Sequence, residues 1–140
     1  MFLTDSNGEF VESIQSGEIT CFNITSYLNE LYSKYSVALD VYNDSGNRVF
    51  YCNSEVVTGV SFKVSAQSVI FRCNILRIPL MPGTYYAHVS LTQDNSRVDF
   101  IENALMFTVV EGDFWRSGRF ITGANPPLIL VDHNWSINNV

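Results

Sequence analysis

A chain of 140 residues fits one domain and is long enough to bury a core of its own. Hydrophobic residues make up 46% and charged ones 16%, a balance that argues against disorder. The formal net charge of −6, with no cluster of Lys and Arg, argues against nucleic acid or an anionic membrane surface as partner.

From the start of the chain, Met1 lies directly against a strand-like Phe2-Leu3 with no lead-in, which reads as a start inside a larger protein. Turn signals then recur at short intervals: Asn7-Gly8, Ser16-Gly17, Asn43 to Gly46, Thr58-Gly59, Pro82-Gly83, Asp94 to Ser96 and Glu111-Gly112. Short alternating or β-branched runs lie between them. These are Phe10 to Ile14, Ile19 to Leu28, Ser36 to Tyr42, Arg48 to Cys52, Val60 to Val64, Val69 to Ile75, Thr84 to Thr92 and Ala104 to Val110. Eight such runs predict an all-β, antiparallel β-sandwich. The patch Ser26 to Tyr35 has Leu28, Leu31, Tyr32 and Tyr35 at helical spacing and reads as a turn of helix at most. The sandwich is expected over residues 1–113. Residues 114–140 form a C-terminal extension whose apolar run, Leu128 to Val131, is a further strand for this sandwich or a neighbour's.

The richest segment is Leu76 to Leu91, read as a strand end, a Pro-Gly turn and a strictly alternating strand. Tyr85, Ala87, Val89 and Leu91 form its core face, and Tyr86, His88, Ser90 and Thr92 its outer face. Asp40 and Tyr42 alternate likewise with Val37, Leu39 and Val41, and Arg72 and Asn74 with Phe71, Cys73 and Ile75. If these strands share a sheet, Asp40, Tyr42, Arg72, Asn74, Tyr86, His88 and Ser90 fall on one outer face. That mixture of carboxylate, guanidinium, amide, imidazole, hydroxyl and phenols suits a sugar, which offers hydroxyls to bond and C–H faces to stack. A merely solvated antiparallel face alternates in the same way.

Other chemistry finds little support. No phosphate-binding loop or dinucleotide fingerprint occurs, no nucleophile elbow is present, and no cofactor is implied. Asp99 and Glu102 could flank a substrate as two carboxylates, although acids in a polar loop are usually just solvated. Asp132 and His133 are sequence neighbours and so point to opposite faces of a strand. Cys21, Cys52 and Cys73 fit neither a disulfide framework nor a metal motif and read as buried free thiols. The sequons at Asn23 and Asn134 lack a secretory signal and are read as chance, and no apolar run reaches membrane-spanning length. Composition therefore favours a binding or interaction module over an enzyme.

The chain resembles the C-terminal domain of Wzt, the ATPase subunit of ABC transporters that export O-antigen polysaccharides. The resemblance rests on Leu3 to Gly8, Ser16-Gly-Glu18, Val37 to Gly46, Arg48-Val-Phe50 and Ile78 to Tyr85. It continues through Glu102-Asn-Ala104, Phe107-Thr-Val109, Gly112-Asp-Phe114 and His133-Asn-Trp135. These pieces run in family order from near residue 3 to near residue 135. The resemblance implies an immunoglobulin-like sandwich, non-catalytic, that binds the often capped non-reducing end of the exported glycan in the cytoplasm at the inner membrane. It also implies a homodimer formed by exchange of the C-terminal strand, and contact with the transporter's membrane subunit through a preceding ATPase domain. The rival expectations are a glycan-modifying or glycan-cleaving enzyme acting through Asp99 and Glu102, and an immunoglobulin-like domain that binds protein. The motif residues are mainly turns and core, so the resemblance assigns no binding residues.

Overall fold

Strands dominate because β-branched and aromatic runs alternate in polarity between turns that Gly, Asn and Asp can make. In the computed structural model, which describes residues 1–139, they build two sheets. The four-stranded sheet runs in the order β2 (Phe10–Val11), β1 (Phe2–Thr4), β4 (Thr20–Tyr27) and β8 (Ser68–Ile75). The other runs β3 (Ser13–Gln15), β10 (Ser96–Val110), β9 (Gly83–Gln93), β5 (Lys34–Asn43) and β6 (Arg48–Asn53), with β7 (Phe62–Lys63) paired to the start of β5. Neighbours are antiparallel except β3 and β10, which run parallel. The molecule is an all-β sandwich, as expected.

Local chemistry explains the connections. Asp94 and Asn95 both take positive φ, 47° and 68°, which gives the tight β9–β10 hairpin the twist its strands need. Between β5 and β6, Asn43 Oδ1 accepts from the Ser45 and Asn47 amides at 3.1 and 2.8 Å and closes the turn. One short helix, α1 (Ser54–Thr58), follows β6. It was not anticipated from the sequence, although both its caps are legible there. Asn53 Oδ1 accepts from the Glu55 and Val56 amides, and Gly59 ends the helix at φ 76°.

The patch Ser26 to Tyr35, read as a turn of helix at most, makes a turn between two strands and no helix. β4 runs on to Tyr27, Tyr32 turns through φ 65°, and β5 begins at Lys34. Leu28 and Tyr35 are buried while Leu31 and Tyr32 are exposed, so no common helical face exists. In the run Leu76 to Leu91 the alternating strand is present as β9, but its start, read as the end of a strand, is corrected: β8 ends at Ile75. β8 pairs with β4 and β9 pairs with β5 and β10, so the connection crosses from one sheet to the other. Its Ile78 and Leu80 are fully buried.

Leu39, Val41, Phe71, Tyr85, Val89 and Phe107 are all buried, as alternation requires. They divide between a larger cluster around Phe22, Val41, Ile78, Leu80 and Phe107, and a smaller one around Leu28, Tyr35, Phe71 and Val89. The run Leu128 to Val131 makes only a single bridge, Ile129 opposite Leu80, and buries Leu130 alone of its four residues. Arg77 secures this tail. Its guanidinium pairs with Asp132 at 2.8 Å, donates to the Phe114 carbonyl and lies over the Phe114 ring at 4.1 Å.

Val89→Ala removes two buried methyls at the heart of the smaller cluster. We expect it to lower stability by about 1–3 kcal/mol, as partial cavity relaxation allows. A shift of the urea midpoint without loss of the β-type circular dichroism spectrum is the measurement; an unshifted midpoint contradicts the assigned faces.

Candidate functional site

The paired strands β5 and β9 set the geometry of the outer face. Their register places Asp40 opposite His88, Tyr42 opposite Tyr86 and Ala38 opposite Ser90. Residues directly opposite on antiparallel strands share a face, so Asp40, Tyr42, Tyr86, His88 and Ser90 do come together. Leu39, Val41, Ala87 and Val89 point the other way into the core. The same register adds residues that the sequence reading missed. Arg48 stands opposite Tyr42 and Tyr51 opposite Asp40 on β6, and Met106 stands opposite Tyr86 and Phe100 opposite Ser90 on β10. Their signal was alternation within β6 and β10, but only the strand order shows that both flank β5 and β9.

The face has a charged side and an aromatic side. Arg48 Nη2 lies 2.5 Å from Asp40 Oδ1, and the same guanidinium sits 4.6 Å from the Tyr51 ring centroid. Asp40 Oδ1 is buried and has no hydrogen bond of good geometry, so the charge of Arg48 is what compensates it. Beside this pair the Tyr42 and His88 rings lie 4.6 Å apart, and Phe100 meets His88 edge-on at 6.1 Å. All five predicted residues on this face are half-buried, which leaves each side chain partly available to a ligand.

His88 has a second task. On β10 the register steps four residues, from Ile101 to Leu105, where β9 steps two, from Val89 to Ala87. The extra residues arch out as a bulge beside His88, with Asn103 at φ 50°. The Asn103 amide donates to His88 Nδ1 at 2.7 Å. In the neutral ring the proton therefore sits on Nε2, which is left to meet a ligand. Glu102 belongs to this bulge and Asp99 stands opposite Leu91; both are exposed.

Arg72 and Asn74 do not join the face. They lie on β8, in the other sheet, where Arg72 stands opposite Asn23 and Asn74 opposite Cys21. Alternation says which way a side chain points along its strand, and nothing about which sheet the strand enters. Arg72 Nε donates to Oδ1 of the buried Asn23 at 3.3 Å, and Asn23 in turn donates to Thr4 Oγ1.

Arg72 and Asn74 instead rim a cleft of ≈ 690 Å³ that opens between the two sheets. Its apolar lining includes Ile24, Leu39, Phe71 and Ile75, and its rim includes Val56 and Val57 of α1. Among the described residues no group of three or more His, Cys, Asp and Glu could hold a metal ion. Among them, too, no helix is long and apolar enough to cross a membrane.

His88→Ala should free the Asn103 amide and loosen the bulge. We expect a loss of about 0.5–1.5 kcal/mol, the net worth of one hydrogen bond. Faster hydrogen exchange at Asn103 is the local readout. Unchanged exchange at Asn103 in the variant contradicts the bond.

The family model described as the Wzt C-terminal domain matches residues 1–125. Among solved structures, one described as the crystal structure of the C-terminal domain of Wzt aligns with a TM-score of 0.69 at 15% sequence identity. The alignment covers 87% of this chain and 80% of that one, and at this identity it speaks for the fold. None of the curated proteins matches.

Proposed function

This chain belongs to the Wzt C-terminal domain family, and from that premise we propose that it is a non-catalytic carbohydrate-binding domain of an ABC transporter. Its ligand in this reading is the capped non-reducing end of an O-antigen polysaccharide. It works in the cytoplasm at the inner membrane, coupled to the transporter's membrane subunit through an ATPase domain. The observation that carries the reading is the outer face of β5 and β9. There Tyr42, His88 and Phe100 form an aromatic row beside the Asp40–Arg48 pair, with Tyr86 and Ser90 on the same face. Sugars stack their C–H faces on aromatic rings and bond their hydroxyls to such groups. The face is built on the central strands of a sheet, so its side chains are held in fixed relative positions.

Calorimetry with purified O-antigen polysaccharide tests the reading. Tyr86→Ala and Tyr42→Ala should each weaken binding by about tenfold, one decade being about 1.4 kcal/mol. Arg72→Ala, on the other sheet, should leave affinity unchanged. The reverse pattern moves the site to the cleft, and shortening of the polysaccharide during the titration identifies an enzyme.

Homodimerisation by exchange of the C-terminal segment belongs to the same proposal. The tail docks on its own chain through Leu130, whose amide donates to the Pro79 carbonyl at 2.8 Å, and through Arg77 with Asp132. A partner's tail could make each of these contacts equally well, so exchange closes a two-fold dimer without new surfaces. Light scattering at micromolar concentration should give a dimer mass, and deletion after Gly123 should give a less soluble monomer. A monomeric mass for the intact chain excludes exchange in solution.

A further inference from the structure

The cleft between the sheets holds a pair of thiols that glycan recognition does not use. Cys52 lies on β6 opposite Leu39, and Cys73 lies on β8 opposite Phe22. Leu39 and Phe22 are core residues, so both thiols point inward, from opposite sheets. Both pack against the larger core cluster, and both line the one cleft. β6 and β8 are each the last strand of their sheet, so the thiols meet where the sandwich is open. Both are free and partly accessible. The remaining cysteine, Cys21, is buried on β4 with its Sγ 3.7 Å from Asn23 Oδ1.

We propose that Cys52 and Cys73 are a dithiol site that reacts with low-molecular-weight disulfides of the glutathione type and closes to a disulfide joining the two sheets across the cleft. The two thiols are unequal. The neighbouring Cys73 thiol holds Cys52 below the usual thiol range, against the opposing effects of burial and the Asp40 charge. Cys73 is pushed well above that range, by Cys52 beside it and by its burial. Cys52 is therefore the attacking sulfur. It releases its proton to solvent and attacks one sulfur of glutathione disulfide. The S–S bond of the reagent breaks, and one glutathione leaves as thiolate and takes up a proton. Cys73 then gives its proton to solvent, attacks Cys52 Sγ and expels the second glutathione. Two protein thiols are oxidised to one disulfide, and one glutathione disulfide is reduced to two glutathione molecules. The new bond ties β6 to β8 and fixes the width of the cleft.

The experiment treats the folded chain with glutathione disulfide, alkylates free thiols without reduction, and maps the products by mass spectrometry. Before alkylation the expected product is lighter than the reduced chain by two hydrogens; after it, a linked Cys52–Cys73 peptide is found and Cys21 carries the one alkyl group. Cys73→Ser should stop the reaction at a single glutathione adduct on Cys52, because the resolving thiol is gone. Full alkylation of Cys52 and Cys73 after treatment would overturn the proposal. So would a wild-type adduct that never resolves, or a linked peptide containing Cys21.

Discussion

The segment from Ile78 to Leu80 is the constraint on which the sandwich depends. It carries the chain from one sheet to the other through the interior, and a buried backbone there must find partners for every polar group. The turn after β3 supplies them. The Gly17 amide donates to the Ile78 carbonyl at 2.9 Å, the Ile78 amide donates to the Glu18 carbonyl at 3.0 Å, and Ser16 Oγ donates to the Leu80 carbonyl at 2.6 Å. The tail completes the set at the Pro79 carbonyl. Space is equally tight. A Cβ at Gly17 would come 2.9 Å from the Phe114 backbone, and one at Gly112 would collide with the Ser16 carbonyl oxygen. The glycines near Ser16 and Phe114 are thus requirements of one junction, where the β3 turn, the crossing segment and the start of the tail meet.

That junction determines what the outer face can be. With the crossing segment fixed, β9 enters the centre of its sheet between β5 and β10, and its outward residues come to stand beside those of β5. The make-up of this face is then a consequence of core packing behind it. Leu39, Val41, Ala87 and Val89 hold the strands in register, and register alone brings Tyr42 beside Tyr86 and Asp40 beside His88. The bulge on β10 adds the one local departure. It spoils two steps of the ladder and, in exchange, gives His88 a fixed tautomer and a backbone neighbour.

How much of this was legible in the amino-acid sequence follows the range of each signal. Alternation is local, so the faces of β5 and β9 and the buried set from Leu39 to Phe107 could be read directly. Helical spacing at Leu28, Leu31, Tyr32 and Tyr35 is local too, but it spans only a turn, and Tyr35 belongs to the inward set of a strand that starts at Lys34. The caps of α1, Asn53 and Gly59, stand in the sequence, but a helix of five residues is too short to show a helical period between them. Strand order is not local. Nothing in the Arg72 and Asn74 pattern says that β8 pairs with β4, and so two of the seven expected site residues stand on the far sheet. The thiol pair was hidden for the same reason: Cys52 and Cys73 become neighbours only when two sheets stack.

The open side of the sandwich has a consequence for solubility. β6 and β8 both end their sheets there, and an unpaired strand edge is a template on which another chain can add and start a fibre. The edge of β6 is short, is put out of register by the irregularity between Val41 and Tyr42, and turns at once into α1. The edge of β8 carries the Arg72 guanidinium on its outer face. Short length, a broken ladder, a capping helix and a fixed charge each oppose strand addition. A domain with a cleft open between its sheets is in this way kept from growing along it.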